Sequence, residues 1–391
     1  MFLDTQKNTT IFPSMSIPGH TSSWVEIDIQ ALEHNLNSYK SLIHPALFAP
    51  VIKSNAYGHG IELVAHVCQQ NAAVDMICVV TIQEALHLRS IGITKPLIVL
   101  SIALGDFEQA IAQNIQLIAY DINTIIQLNA IGQKLNKQAL IHLKVDTGLS
   151  RLGVYADDII AMAKHIRALP CVTINGIFTH LAESESEDPT FTFEQLNRFN
   201  QLLQQLDDLG FDIPLKHMTC SAATSVYKQC HQTLVRMGIG TYGLWPSEEN
   251  KQMTIQQHPT FSIKPILNWK TKIIQIKDIP AGSYIGYDRT HQVPHASRIA
   301  ILPVGYWDGL DRGLSNKGVV VINGKQAPII GRIAMNLCMI NITGLDVSIN
   351  DEVLLLGNHP GVTAEDIARH CNTINYEVVT RINPLIPRIG I

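Results

Sequence analysis

From about residue 47 onward, short runs of β-branched and other apolar residues alternate with longer segments whose apolar positions recur three or four apart. The short runs fall at 47–52 (LFAPVI), 76–80 (MICVV), 96–100 (PLIVL), 115–119 (IQLIA), 140–145 (LIHLKV), 172–178 (VTINGIF), 213–218 (IPLKHM) and 233–241 (TLVRMGIGT). They read as strands. Between them the spacing predicts helices, including Ile61–Gln70, Ile82–Ile91, Ile122–Leu135, Asp157–Ala168 and Phe193–Leu209. Eight strands, most followed by a helix, over roughly 200 residues point to a (β/α)8 TIM barrel of the α/β class rather than an open sheet. After the eighth run the chain turns polar (WPSEENKQM, Trp245–Met253), which reads as a linker with no helix.

Past about residue 258 the period changes. Thr271–Ile276, Ser297–Leu302, Val319–Ile322, Met339–Ile342 and Glu352–Leu356 are strand-like runs punctuated by Gly, Asn, Asp and Pro. The expected organisation is a tail at 1–23, a barrel at 24–258 and a C-terminal all-β domain at 259–391. The early strand WVEID (Trp24–Asp28) stands apart from the barrel pattern and is open to pairing with the second domain instead.

Composition narrows the function classes. Of 391 residues, 46% are hydrophobic and 16% charged, so a large core is expected and disorder is not. A net charge of −4 gives no reason to expect nucleic acid or an anionic membrane as a partner. Seven scattered cysteines form no CxxC pair and no metal-like spacing, which reads as reduced thiols in a cytosolic protein without a metal. The polar stretch Met1–Ser23 has no signal-type apolar run, and no segment reaches the ~18 uncharged apolar residues of a spanning helix. A soluble protein that stays in the cytoplasm is expected.

Reactive groups of a (β/α)8 barrel sit at the C-terminal ends of its strands. The first run leads into Lys53, whose amine becomes a nucleophile if burial lowers its pKa; a surface lysine with a snorkelling stem is the competing reading. The fifth gives Lys144, Asp146 and Arg151, the sixth Thr179 and His180, the seventh Thr219, Cys220 and Ser221. The eighth gives Arg236 and a glycine-containing run in which Gly238 and Ile239, with Ser221, could cradle an anion. Taken singly, each residue has a structural reading at least as good. Together they place an amine, a guanidinium, an imidazole and an anion cradle at one barrel end, the outline of a pyridoxal-phosphate site. Gly238, Gly240 and Gly243 also match GxGxxG, but no amphipathic helix follows, so dinucleotide binding is rejected.

The segment VIKSNAYGHG resembles the cofactor-lysine signature of the alanine racemases, barrel-type pyridoxal-phosphate enzymes. WVEIDIQALEHNL, LKVDTGLSRLG, GIFTHLAESES, VRMGIGTYGLWP, LPVGYWDG and GRIAMN resemble other segments of that family, in the same order, from about Trp24 to about Arg388. The resemblance implies pyridoxal 5'-phosphate as cofactor, alanine as substrate and D-alanine for peptidoglycan as product. It makes Lys53 the cofactor lysine and one base. Tyr57, Ser221, Gly238 and Ile239 become phosphate contacts, His180 the histidine beside the ring, and Arg236 the partner of the pyridine nitrogen. Arg151 falls near the substrate carboxylate, and Lys144 becomes a candidate for carbamylation that orients it. The second base is Tyr287, in AGSYIGYDRT, with Tyr284 as competitor. Tyr306, Asp308 and Met335 match residues at the entrance or substrate end. It further implies a head-to-tail homodimer with shared sites.

Two departures stand out. Asn336 replaces an acid usual after the methionine, and the aromatic that commonly closes the substrate pocket gives way to Asn383 or Pro384. A serine or broad-specificity racemase therefore remains an alternative, as do a barrel-type decarboxylase and a non-catalytic cofactor carrier.

Overall fold

The computed structural model describes residues 21–102 and 104–391; the expected tail at 1–23 lies almost wholly outside them. The chain divides into two compact units, Gln30–Pro265 and the combination of 21–29 with Ile266–Ile391.

In the first unit the eight apolar runs become parallel strands: β1 (Leu47–Pro50), β2 (Ile77–Thr81), β3 (Leu97–Ile102), β4 (Ile115–Ala119), β5 (Ala139–Lys144), β6 (Val172–Phe178), β7 (Leu215–His217) and β8 (Leu234–Met237). β2 to β7 pair consecutively, and β1 pairs with β8 from Leu47↔Leu234 to Pro50↔Met237. A bridge between Val51 and Cys78 joins β1 to β2, and the Thr233 N–H donates to Lys216 O at 3.1 Å beside β7. The sheet closes into a barrel. All of β4 is buried, as expected of a strand covered on both faces, which is why these runs lack strict alternation.

The helices begin where the sequence supplies caps. Thr81 and Glu84 form a capping box ahead of Ile82–Ser90, and Asp121 caps Ile122–Leu135, which ends on Asn136 in the left-handed region at φ 51°. One expectation fails here. The polar stretch after the eighth strand is not a linker but contains a helix, Glu248–Gln257. Ser247 caps it by accepting from the Asn250 N–H, with Glu248 and Glu249 in the first turn against the helix dipole. It buries Asn250 and Thr254 rather than an apolar stripe, so hydrophobic periodicity carries no trace of it.

The second unit is strand-rich. Lys325–Pro328, Val319–Ile322, Glu352–Leu356, Leu267–Lys272, Ser23–Ile27 and Arg388–Gly390 form a six-stranded sheet in that order. The early strand pairs antiparallel with Leu267–Lys272 (Ser23↔Thr271) and parallel with Arg388–Gly390, so it belongs to this sheet and not to the barrel. Gln275–Ile279, Ser297–Leu302 and Cys338–Asn341 make a three-stranded sheet. The unit is not purely β: a Thr363–Asp366 capping box starts the helix Ala364–Cys371, and Asn375–Thr380 follows.

Candidate active site

The chain leaves β1 through a backbone that L-residues rarely adopt. Ser54, Asn55, Ala56 and Tyr57 take φ values of 55, 54, 52 and 53°, a left-handed turn. Asparagine tolerates this region, but Ser54, Ala56 and Tyr57 each cost about 1–2 kcal/mol, so the turn needs local bonds to hold it. Glu84 Oε1 accepts from the Ser54 N–H at 2.6 Å, and Asn55 Oδ1 accepts from the Ile61 N–H at 2.9 Å. Beneath it the Tyr242 ring packs against Tyr57 and stacks on His59, its hydroxyl donating to Val51 O at 2.9 Å. The turn fixes Lys53 and Tyr57 at the end of the barrel where the other candidates gather.

Lys53 is half-buried, with its Nζ 5.8 Å from the Tyr57 ring centroid. Burial, then the Arg151 cation, lowers its pKa, while Glu84 opposes the shift. Tyr57 is pushed the other way by burial and then by the Cys220 and Cys78 thiols, so its phenol stays protonated and can donate.

Ser221 lies beside Tyr57 across Gly238. Ser221 Oγ accepts from the Gly238 N–H at 3.0 Å and the Gly240 N–H at 3.2 Å, which leaves its own O–H to point at something else. A Cβ on Gly238 would sit 2.8 Å from the Tyr57 hydroxyl and 3.5 Å from Ser221 Oγ, so only glycine leaves the space between them open. Two residues before Ser221, Thr219 Oγ1 is buried without a hydrogen-bond partner among the described residues. Two hydroxyls converge on a small gap near an amine of lowered pKa. That arrangement suits a phosphate ester carrying an aldehyde, and the residues fit pyridoxal phosphate.

Arg236, only 3% exposed, projects from β8 into the barrel. Its Nη2 donates to Thr179 O at 3.0 Å and lies 3.4 Å from His180 Nδ1, while Nη1 meets His217 Nδ1 at 2.6 Å. Burial lowers its pKa to about 10, which still leaves it charged at neutral pH. An arginine only donates, so the hydrogen positions beyond it are forced. His217 Nδ1 accepts, its Nε2–H donates to His142 Nδ1 at 2.9 Å, and His142 Nε2–H donates to Gln116 Oε1 at 2.7 Å. Asn175 Nδ2 donates to the same oxygen at 2.6 Å. Burial, reinforced by Arg236, pushes His142 down to about 3 and lowers His217 and His180 well below the usual imidazole value, so all three rings are neutral.

Sequence reading passed over His217, His142, Gln116, Asn175 and Glu84. One signal was available: glycine inside a strand marks close approach. A Cβ on Gly176 in β6 would fall 2.1 Å from His142 Nδ1. Lys144 ends β5, 5% exposed, with Nζ 4.4 Å from the Phe178 ring centroid. Burial first, then Arg236 and Arg151, lowers its pKa well below the usual lysine value, which favours the uncharged amine. Arg151 is exposed on the following loop.

In the second unit Gly286, at φ 70°, turns the chain between Tyr284 and Tyr287. Asp288 Oδ2 pairs with Arg332 Nε at 2.6 Å, and the Arg289 guanidinium covers the Tyr284 ring at 5.6 Å. Both tyrosine rings are exposed, Tyr284 by 51% and Tyr287 by 69%. Tyr306 and Met335 are presented side by side, because the Tyr306 N–H donates to Ala334 O at 3.1 Å and the Trp307 N–H to Met335 O at 3.0 Å. Asp308 Oδ2 accepts from the Gly305 N–H at 2.9 Å and braces that loop. Asn336 is exposed; Asn383 turns its amide onto Trp307 O at 3.1 Å, and Pro384 faces solvent.

Comparison with known proteins agrees with this geometry. The N-terminal domain family of alanine racemases matches residues 27–246, and the C-terminal domain family matches 266–390. An alanine racemase of Halothermothrix orenii is 37% identical, covering 94% of this chain and 96% of its own. The solved alanine racemase of Clostridium difficile 630 superposes with a TM-score of 0.89 at 32% identity, over 95% of this chain and 96% of that one. That of Bartonella henselae, with covalently bound pyridoxal phosphate, gives 0.82 at 27% identity, over 95% and 99%. On sequence and structure alike, the chain belongs to the alanine racemase family.

Proposed function

We propose that this protein is a pyridoxal-phosphate-dependent alanine racemase, interconverting L- and D-alanine through two bases. The observation that carries the reading is the coincidence of a lysine of lowered pKa with the gap between Tyr57, Ser221 and Gly238. When bound, pyridoxal phosphate supplies an electron sink that spreads the charge left by loss of an α-proton. Lys53 binds its aldehyde through Nζ. Tyr57 and Ser221 donate to the phosphate, with the backbone of Gly238 and Ile239 completing the cup. His180 would flank the ring as a neutral imidazole, and Arg151 would hold the substrate carboxylate. Lys144, whose lowered pKa favours the uncharged amine that takes up CO2, would orient Arg151 as a carbamate.

Lys53 Nζ then exchanges a proton with the D-face of the α-carbon and the Tyr287 hydroxyl with the L-face. We place Tyr287 of a second copy at each site, in a head-to-tail homodimer. Tyr306 and Met335 would line the substrate end beside it. Among the described residues no helix is long and apolar enough to cross a membrane, and the seven cysteines are free, in keeping with a cytoplasmic enzyme.

Arg236 would face the pyridine nitrogen and, as a guanidinium with a pKa near 10 that gives up its proton poorly at neutral pH, would leave it unprotonated. Arg236→Glu should therefore raise transamination relative to racemisation by about tenfold or more, through a carboxyl group able to share a proton. Pyruvate released per D-alanine formed measures the ratio; an unchanged ratio would refute the assignment.

The function is tested by incubating the purified protein, loaded with pyridoxal phosphate, with L-alanine, L-serine and L-lysine. D-Alanine is expected as the main product. Dominant D-serine would move the reading to the broader racemase that the altered region around Asn383 leaves open, CO2 from lysine to a decarboxylase, and no turnover to a carrier.

A further inference from the structure

The helix Glu248–Gln257 reaches the phosphate cup from behind. Asn250 and Thr254, both fully buried, are its contacts with the short turn Ser221–Val226 that begins with the cup serine. Asn250 Nδ2 donates to Ala222 O at 3.0 Å. Thr254 donates its hydroxyl hydrogen to Asn250 O at 2.7 Å, so it can only accept from Ser225 Oγ, also at 2.7 Å. Two directional bonds thus tie one helix to the residues immediately after Ser221. Apolar packing tolerates small slips between elements, whereas a buried hydrogen bond does not, because a donor or acceptor left unpaired is costly. A polar seam in place of an apolar one fixes position more than it adds stability.

We infer that Asn250, seconded by Thr254, is a positioning residue for phosphate recognition: it holds the Ser221 backbone so that the serine hydroxyl, anchored by the Gly238 and Gly240 N–H groups, points into the cup. The inference rests on the reading of Ser221, Tyr57 and Gly238 as a phosphate site. It makes the helix part of the cofactor-binding apparatus without touching the cofactor.

The test compares two ligands that differ only in the phosphate. Pyridoxal phosphate and pyridoxal are titrated spectrally into the cofactor-stripped full-length protein. Asn250→Asp keeps the shape and replaces the donor with an acceptor facing Ala222 O. It should weaken pyridoxal phosphate by about tenfold, as for a lost buried bond, and leave pyridoxal within about twofold. Thr254→Val, which removes only a hydroxyl, should act in the same direction and decides the matter if Asn250→Asp does not fold. Equal weakening of both ligands, or of neither, overturns the inference. Ser221→Ala is run alongside. If it fails to separate the two ligands, the cup itself is misplaced; if it separates them and the Asn250 and Thr254 variants do not, only the role of the helix falls.

Discussion

Lys53→Ala should lower racemisation in both directions by roughly 10⁴-fold or more, because one side chain carries both the covalent hold on the cofactor and one of the two proton transfers. Substrate binding through Arg151 is not the step removed, so raising L-alanine should not restore the rate. The wild-type amine has a further signature in its pH dependence. Only the neutral amine attacks an aldehyde, and burial with Arg151 nearby lowers the Lys53 pKa. Capture of the aldehyde should therefore extend to lower pH than for an ordinary lysine. It should fade as the pH falls through the lowered value. Arg151→Gln removes one cause of the shift and should move that fade to higher pH, read from absorbance against pH. A midpoint that stays put would mean that burial alone sets it.

Tyr287→Phe is expected to cost roughly 10²–10⁴-fold in racemisation, the usual worth of a positioned acid–base group. Its more telling effect is asymmetric. With Lys53 intact, the α-hydrogen of D-alanine should still exchange with solvent deuterium, while inversion to L-alanine is lost. Tyr284→Phe should behave like wild type: both rings are exposed, but the Arg289 guanidinium lies over the Tyr284 ring. Loss of activity in Tyr284→Phe with retention in Tyr287→Phe would exchange the two roles.

The barrel was legible because its signal is repeated: each strand is a short apolar run between segments of helical period, and eight copies outweigh the ambiguity of any one. What escaped lacks that signal. The helix Glu248–Gln257 docks through Asn250 and Thr254, and a search for an apolar stripe passes over it. His142 and His217 sit inside strands whose apolar neighbours satisfy the core pattern, and nothing local says that their nitrogens form a chain from Arg236 to Gln116. The left-handed turn at Ser54–Tyr57 runs against the preferences of Ser54, Ala56 and Tyr57, with only Asn55 suited to it, so it is dictated by its surroundings, Glu84 among them. The candidate residues at the strand ends were found one by one from the barrel rule, but their roles came from the family resemblance. That limit is physical: proximity of side chains from β1, β5, β6 and β8 is a property of closure, not of any single segment.

Everything proposed for catalysis hangs on which atom holds the aldehyde. Borohydride reduction of the purified, pyridoxal-phosphate-loaded protein, followed by peptide mass analysis, should find one cofactor fixed as a secondary amine on Lys53 and none on Lys144. A reduced protein whose Lys53 peptide keeps its unmodified mass would contradict the account.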